Sequence, residues 1–176
     1  MLTLTEVEKI ASWQPYRDNW PVDRNLTDDN ILRFYGQFIK NMNNSAVFEC
    51  TQTQDGSMTN YLEFICYPKK DQQEVQQCIM VCVSLCAPVA AYGETTFEKT
   101  DKALSFSFLI PESVGLVEAD ELKPIEKEII SILKKQNCEI VNKEFASQKL
   151  PEVISQNLDS LNFGNQVLHG LFQWTD

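Results

Sequence analysis

The longest apolar run of the chain covers residues 78 to 92, and the strand predicted there, from about residue 75 to residue 87, has apolar side chains on both sets of alternating positions. Its odd positions are Ile79, Val81, Val83 and Leu85, and its even positions include Cys78, Met80, Cys82 and Cys86. A strand with two apolar faces is covered on both sides. We therefore predict a central strand here, with Cys78, Cys82 and Cys86 packed as core side chains on one face.

Helical periodicity marks two long segments and one short one. Apolar residues recur at helical spacing over residues 31–42 and again over 122–133, which predicts two amphipathic helices, the second running from Asp120 to a stop at Asn137. Its predicted buried stripe is Leu122, Ile125, Ile129, Ile132 and Leu133. Thr5 and Glu8 have the spacing of a capping box, which predicts a short helix over residues 5–13.

Residues 46 to 66 alternate with a period of two, which indicates a β-hairpin. Asp55 and Gly56 favour a bulged loop of three residues, 54 to 56, with Gly56 in the left-handed conformation. This loop would place Phe48 opposite Leu62, so that both apolar sets point the same way.

A second hairpin is predicted from residues 94–99 and 103–111. Leu104, Phe106, Phe108 and Ile110 alternate with Ser105 and Ser107, so we expect the second strand to bury one face. Residues 138–146 predict a short strand, and a last helix is expected to begin near Pro151. The apolar tail that follows is expected to dock on the core.

These elements predict an α+β fold. We expect a single domain over residues 1–176, in which 1–26 form an N-terminal helix and an irregular arm and 27–176 form the core. The core would be a largely antiparallel sheet of five to six strands with helices packed on one face.

The charge of the chain restricts the partners that it can bind. The net charge is −10 and the pI is about 4.6, with only three arginines. Nucleic acids and anionic membranes need a basic surface, so we expect neither as a partner. A basic protein would be attracted, and its encounter accelerated.

The sequence also bears on the compartment. The N-terminus lacks the basic and apolar regions of a signal peptide, and the apolar run is shorter than the roughly 20 residues of a spanning helix. We therefore expect a cytoplasmic protein whose six cysteines are reduced.

Residues with catalytic or metal-binding chemistry are scarce. Phosphate-binding glycine loops and nucleophile motifs are missing, and His169 is the single histidine of the chain. Cysteines spaced by four along a straight strand cannot surround one metal ion. We expect no metal and no cofactor, which favours a non-enzymatic role.

Two surface features could bind a partner. Glu118, Asp120 and Glu121 cluster near a predicted helix start, where acids also occur simply to favour the helix dipole.

The second feature is the arm at residues 13–24. Its aromatic residues Trp13, Tyr16 and Trp20 stand among charged residues that include two arginines, a composition typical of interface hot spots. The same aromatics could instead pin the arm to the domain.

The hypothesis that these features favour is a non-enzymatic acidic protein that binds a basic protein partner, as a bacterial immunity protein or a chaperone would. The alternative is a small-molecule-binding domain or small enzyme with a pocket between sheet and helices, using carboxylates such as Glu63 and Glu98.

Overall fold

The computed structural model describes residues 2–14, 16, 28–56, 59–69, 75–99, 104–155 and 164–173. The helices are α1 (Leu4–Ala11), α2 (Asp28–Asn43), α3 (Lys123–Lys135), α4 (Lys143–Ala146), α5 (Glu152–Ser155) and α6 (Val167–Leu171). The strands are β1 (Phe48–Gln54), β2 (Tyr61–Pro68), β3 (Val75–Ser84), β4 (Val89–Lys99), β5 (Leu104–Phe106) and β6 (Glu139–Ile140). Short 3₁₀ turns cover Pro111–Ser113 and Asp120–Leu122.

The described strands form one six-stranded sheet. Strands β1 to β5 are antiparallel neighbours in chain order, and β6 pairs in parallel with the beginning of β4. The predicted α+β class and the largely antiparallel sheet are therefore confirmed. Strand β3 lies at the centre between β2 and β4, as its two apolar faces predicted.

One face of the sheet is covered by α2 and α3. The stripe predicted for α3 is buried at every position, in a cluster that also includes Phe38 and Met42 of α2 and Phe64 of β2. We call this cluster the first core. Phe38 and Phe64 meet edge to face with ring centroids 5.6 Å apart. The amphipathic patterns of α2 and α3 thus predicted both the helices and the surface that they bury.

The other face of the sheet carries the second core, and a third cluster lies at one end. The second core contains Tyr61, Ile65, Cys78, Met80, Cys82 and Phe97. In the third cluster, α1, α4 and α6 pack around Cys86, Ala87, Val89 and Ala91. The prediction that Cys78, Cys82 and Cys86 share a strand face is wrong for Cys86, since β3 ends at Ser84 and Cys86 packs in the third cluster. All three are buried, as predicted.

The predicted register of the first hairpin is wrong. Strand β1 pairs with β2 so that Phe48 lies opposite Pro68, not Leu62, and the connection runs from Gln54 to Tyr61. The bulge lies inside β1, between Gln52 and Gln54. Gly56 is left-handed as predicted, with φ of 88°. The two apolar sets still share a face, because the pairing slid by an even number of residues.

Two element boundaries also differ from the predictions. The capping box of α1 is formed by Thr3 and Glu6, two residues earlier than predicted. The strand predicted over residues 138–146 is only the two-residue β6, and α4 follows it after Asn142 caps the helix by accepting the N–H of Phe145.

The stop predicted at Asn137 is confirmed. Asn137 has φ of 58°, and the N–H of Cys138 donates to the carbonyl of Leu133 at 3.0 Å, which closes α3 with a Schellman motif. Within the described part of the chain, no helix is long and apolar enough to cross a membrane.

Candidate functional site

A closed loop along the outer edge of β4 is the strongest candidate for a functional surface. We call residues 107–119 the strap. The N–H of Ser107 donates to the carbonyl of Thr96 at 3.4 Å, and the N–H of Glu94 donates to the carbonyl of Leu116 at 2.9 Å. Entry and exit of the loop therefore lie side by side on β4, as in a compact Ω-type loop.

The inner side of the strap packs tightly on the sheet. Val114 and Val117 are buried, and Leu109 contacts the second core and the third cluster. Gly93 of β4 permits this close approach, because a Cβ built there would lie 2.4 Å from the carbonyl oxygen of Ser113. Gly115, with φ of 71°, makes the left-handed turn and donates its N–H to the carbonyl of Tyr92 at 2.7 Å.

The outer side of the strap exposes three large apolar side chains. Phe108 is 58% exposed, Ile110 is 53% exposed and Leu116 is 42% exposed. Phe108 and Ile110 flank the inward-facing Leu109, as expected where an extended backbone alternates its side chains. The Phe108 ring meets that of Phe106 edge to face, with centroids 5.8 Å apart. The strap therefore exposes an apolar surface to solvent, and packing of Phe108 on Phe106 holds part of that surface in place.

The charges on and beside the strap are acidic. Between Lys102 and Lys123 the sequence has no basic residue, and its four acids are exposed: Glu112, Glu118, Asp120 and Glu121. Lys123, the first base that follows, donates to the carbonyl of Val117 and lies 3.5 Å from Oε2 of Glu126. We call the three apolar residues and these four acids the strap face.

Glu94 fixes the acidic end of the strap. Its Oε2 accepts the backbone N–H of Glu118 at 2.6 Å and that of Ala119 at 3.0 Å. Hydrogen bonds to a charged acceptor are stronger than those to a neutral one. The backbone that carries Glu118 is thus held against β4 while its own side chain points to solvent.

The structure brings the three predicted acids together at the end of the strap, where Asp120 and Glu121 begin the turn that leads into α3. The aromatic residues of the predicted arm lie elsewhere. Trp13 lies two residues after the end of α1, partly buried and with φ of 56°, and the N–H of Tyr16 donates to the carbonyl of Cys86 at 3.3 Å.

Tyr16 also packs on the third cluster. At Tyr16, therefore, the arm is attached to the domain, which is the alternative given for its aromatic residues. Trp20 lies outside the described residues.

Sequence reasoning missed Phe108 and Ile110 as surface residues, because it assigned them to the buried face of a strand. Strand β5 ends at Phe106, and residues 107–110 leave the sheet before the turn at Pro111–Ser113. Two signals were available in the sequence: Pro111, which interrupts a strand, and the run of acids without a base that follows.

A second candidate site is the buried carboxyl of Glu63 in β2. Oε1 accepts the hydroxyl of Thr53 at 2.7 Å, and Oε2 lies 3.8 Å from the Cys82 sulfur. Burial raises the pKa of Glu63, although both hydrogen bonds lower it. Burial also raises the pKa of the Cys82 thiol, so a protonated thiol lies beside a shielded acid.

Glu63 and Glu98 do not form a common pocket. Glu63 lies opposite Cys82, whereas Glu98 lies opposite Val75, seven residues along β3. Because side chains alternate across a sheet, this odd separation places the two carboxylates on opposite faces.

The remaining chemistry is sparse. His169 is half-buried and its Nδ1 accepts the N–H of Gln166 at 3.3 Å, at the beginning of α6; burial lowers its pKa. In the described ranges, no three His, Cys, Asp or Glu side chains are grouped as metal ligands. A surface depression of about 450 Å³ lies on the outer side of α3, lined by Lys127, Ile130, Ser131, Lys134 and Lys135.

Comparisons with protein-family models, curated proteins and solved structures give no match to this chain.

Proposed function

We propose that the chain is a non-enzymatic binding protein whose strap face captures a basic protein partner. The observation that carries this proposal is the exposure of Phe108 and Ile110 on a loop that is fixed to the sheet at both ends. Protein interfaces combine an apolar centre with a charged rim, and the strap face has both parts.

The charge of the strap face favours a basic partner over an acidic one. Four exposed acids lie on or directly after the strap that carries the apolar residues, and the whole chain has a net charge of −10. Such a field accelerates the encounter with a cationic protein and disfavours an anionic one.

The anchoring of the strap favours tight binding. Glu94 holds its acidic end, and Gly93 lets Ser113 and Leu109 pack directly on β4. A loop that is already ordered loses less conformational entropy when it binds. Capture of a basic protein through such a surface fits a neutralising or escorting role, as in immunity or chaperone proteins.

A cytoplasmic location belongs to the same proposal. All six cysteines are free, and five of them are buried, which suits a reducing compartment.

The test begins with a pulldown from native lysate and continues with the purified captured protein. Phe108→Ser is expected to raise the dissociation rate about tenfold or more, since a central aromatic anchor sets the lifetime of a complex. Leu32→Ser is the matched control, because Leu32 is 59% exposed on α2, outside the strap face. Equal dissociation rates for the two variants would contradict the proposal.

A charge-matched pair tests the acidic rim separately. Glu118→Gln with Asp120→Asn should slow association and flatten its dependence on salt. Asp29→Asn with Glu49→Gln changes the net charge equally, on exposed positions of α2 and β1, and should alter association less. A captured protein that is acidic, or equal effects of the two pairs, would count against the strap face.

A further inference from the structure

Cys50 of β1 and Cys66 of β2 lie directly opposite each other in the antiparallel register. Directly opposed residues have their Cα atoms about 4.5–5.5 Å apart and their side chains on the same face. A disulfide joins Cα atoms that are about 4.4–6.8 Å apart. The backbone therefore already holds these two thiols at bridging distance.

The two thiols differ in their exposure to solvent. Cys66 is fully buried in the first core, whereas Cys50 is only partly buried at its margin. The pKa of the Cys66 thiol is raised by burial first, and then by its hydrogen bond with Cys50. The register places the two thiols side by side, and Cys50, the less buried of the two, is the one more accessible to solvent.

The other cysteines are not arranged in this way. In the described strands, no second pair of cysteines lies in register. Cys78 and Cys82 are four residues apart on β3, about 13 Å along the strand. Cys86 belongs to the third cluster and Cys138 to the first core.

We propose that Cys50 and Cys66 form an intramolecular disulfide when the folded protein meets a peroxide. In the first step, the Cys50 sulfur attacks one peroxide oxygen and the O–O bond breaks. This step gives a sulfenic acid on Cys50 and releases the other oxygen as water.

In the second step, the Cys66 sulfur attacks the Cys50 sulfur and the S–O bond breaks. The hydroxide that leaves takes up the Cys66 proton as a second water, and the S–S bond forms. Two thiols are oxidised by two electrons, and one peroxide is reduced to two waters.

The bond would join β1, at the margin of the sheet, to its only neighbour in the described sheet. It would close a ring around residues 51–65, which include the bulge and the left-handed Gly56. The strap pairs with β4, which β3 separates from the β1–β2 pair in the strand order. The proposed disulfide can therefore be tested independently of the proposed function.

The experiment treats the folded full chain with hydrogen peroxide, alkylates the remaining thiols after unfolding, and analyses intact mass and peptides. We expect a loss of two alkyl groups relative to the unoxidised protein, so that the mass lies roughly 2 Da below that of the chain with four alkyl groups, and a peptide that links Cys50 to Cys66. Dithiothreitol before alkylation should reverse the loss and the link. Cys50→Ser should abolish the loss and the link, whereas Cys138→Ala should retain both.

Two results would overturn the proposal. One is Cys50 oxidised to a sulfinic or sulfonic acid while Cys66 is still alkylated after unfolding. The other is a disulfide that joins Cys50 to a second chain instead of to Cys66.

Discussion

The backbone N–H of Glu118 donates to Oε2 of Glu94 at 2.6 Å, so a carboxylate on β4 positions an acid of the strap. The same oxygen accepts the N–H of Ala119. Glu94→Ala should therefore loosen the strap and lower the free energy of unfolding by about 1 kcal/mol, a value reduced because the site is only partly buried.

Hydrogen exchange measures the local part of this effect. The amides of Glu118 and Ala119 should exchange faster in Glu94→Ala, while Glu98→Ala, an exposed acid on the same strand, should leave them unchanged. Unaltered exchange at both amides would show that Glu94 does not hold the strap.

Gly93 and Gly36 predict opposite effects of the same substitution. Gly93→Ala should destabilise the fold by about 1–3 kcal/mol, because its Cβ would lie 2.4 Å from the Ser113 carbonyl oxygen. A Cβ added at Gly36 in α2 would have no neighbouring atom within 4 Å, so Gly36→Ala should raise the free energy of unfolding by about 0.5–1 kcal/mol. Urea unfolding of both variants measures the difference, and a neutral Gly93→Ala would mean that the strap can move away from β4.

Glu63 should make stability depend on pH in a defined direction. Its pKa is raised by burial, so the folded state keeps a proton that the unfolded state has lost. Stability from this group is therefore greatest below the unfolded pKa and falls as pH rises toward the folded pKa. Glu63→Gln removes the ionisation and should be more stable than the parent near pH 7.

The measurement is urea unfolding of both proteins from about pH 4 to pH 8. The stability difference between Glu63→Gln and the parent should grow as pH rises and then level off. Glu49→Gln, at an exposed position of β1, serves as the control. A constant difference across the range would mean that Glu63 ionises normally in the folded protein.

Cysteine labelling should separate one thiol from five. Cys50 is partly exposed and is expected to react in the native state. Five cysteines are buried and should be labelled by an added thiol reagent only after unfolding: Cys66, Cys78, Cys82, Cys86 and Cys138. Rapid native labelling of three or more thiols would contradict the packing that the structure shows for them.

The sequence predicted elements whose pattern is long and consistent. The stripe along α3 runs from Leu122 to Leu133, and the two apolar faces of β3 lie within a strand of ten residues; both were confirmed. The stripe identifies a helix because only a helical period buries all of its apolar positions, whereas the continuous apolar run of β3 is recognised as a strand by its length and its β-branched residues.

Strand ends and pairing were less predictable, for physical reasons. Alternation fixes which side chains share a face but not how far two strands slide, so Phe48 lies opposite Pro68 while its face is unchanged. Likewise, Phe108 and Ile110 continue the alternation of β5 after the strand has ended. The strap face could not be predicted from the sequence, because local sequence does not reveal which apolar residues the fold leaves exposed.

The outer edge of β4 is occupied along most of its length. Carbonyls of Pro88, Ala90, Tyr92 and Thr96 accept backbone N–H groups from Glu139, Val141, Gly115 and Ser107, and the N–H of Glu94 donates to Leu116. If this edge were uncovered, its unpaired backbone groups would be a template on which another chain could add a strand. Because the strap covers this edge, we expect variants that detach it to self-associate through the uncovered backbone groups of β4.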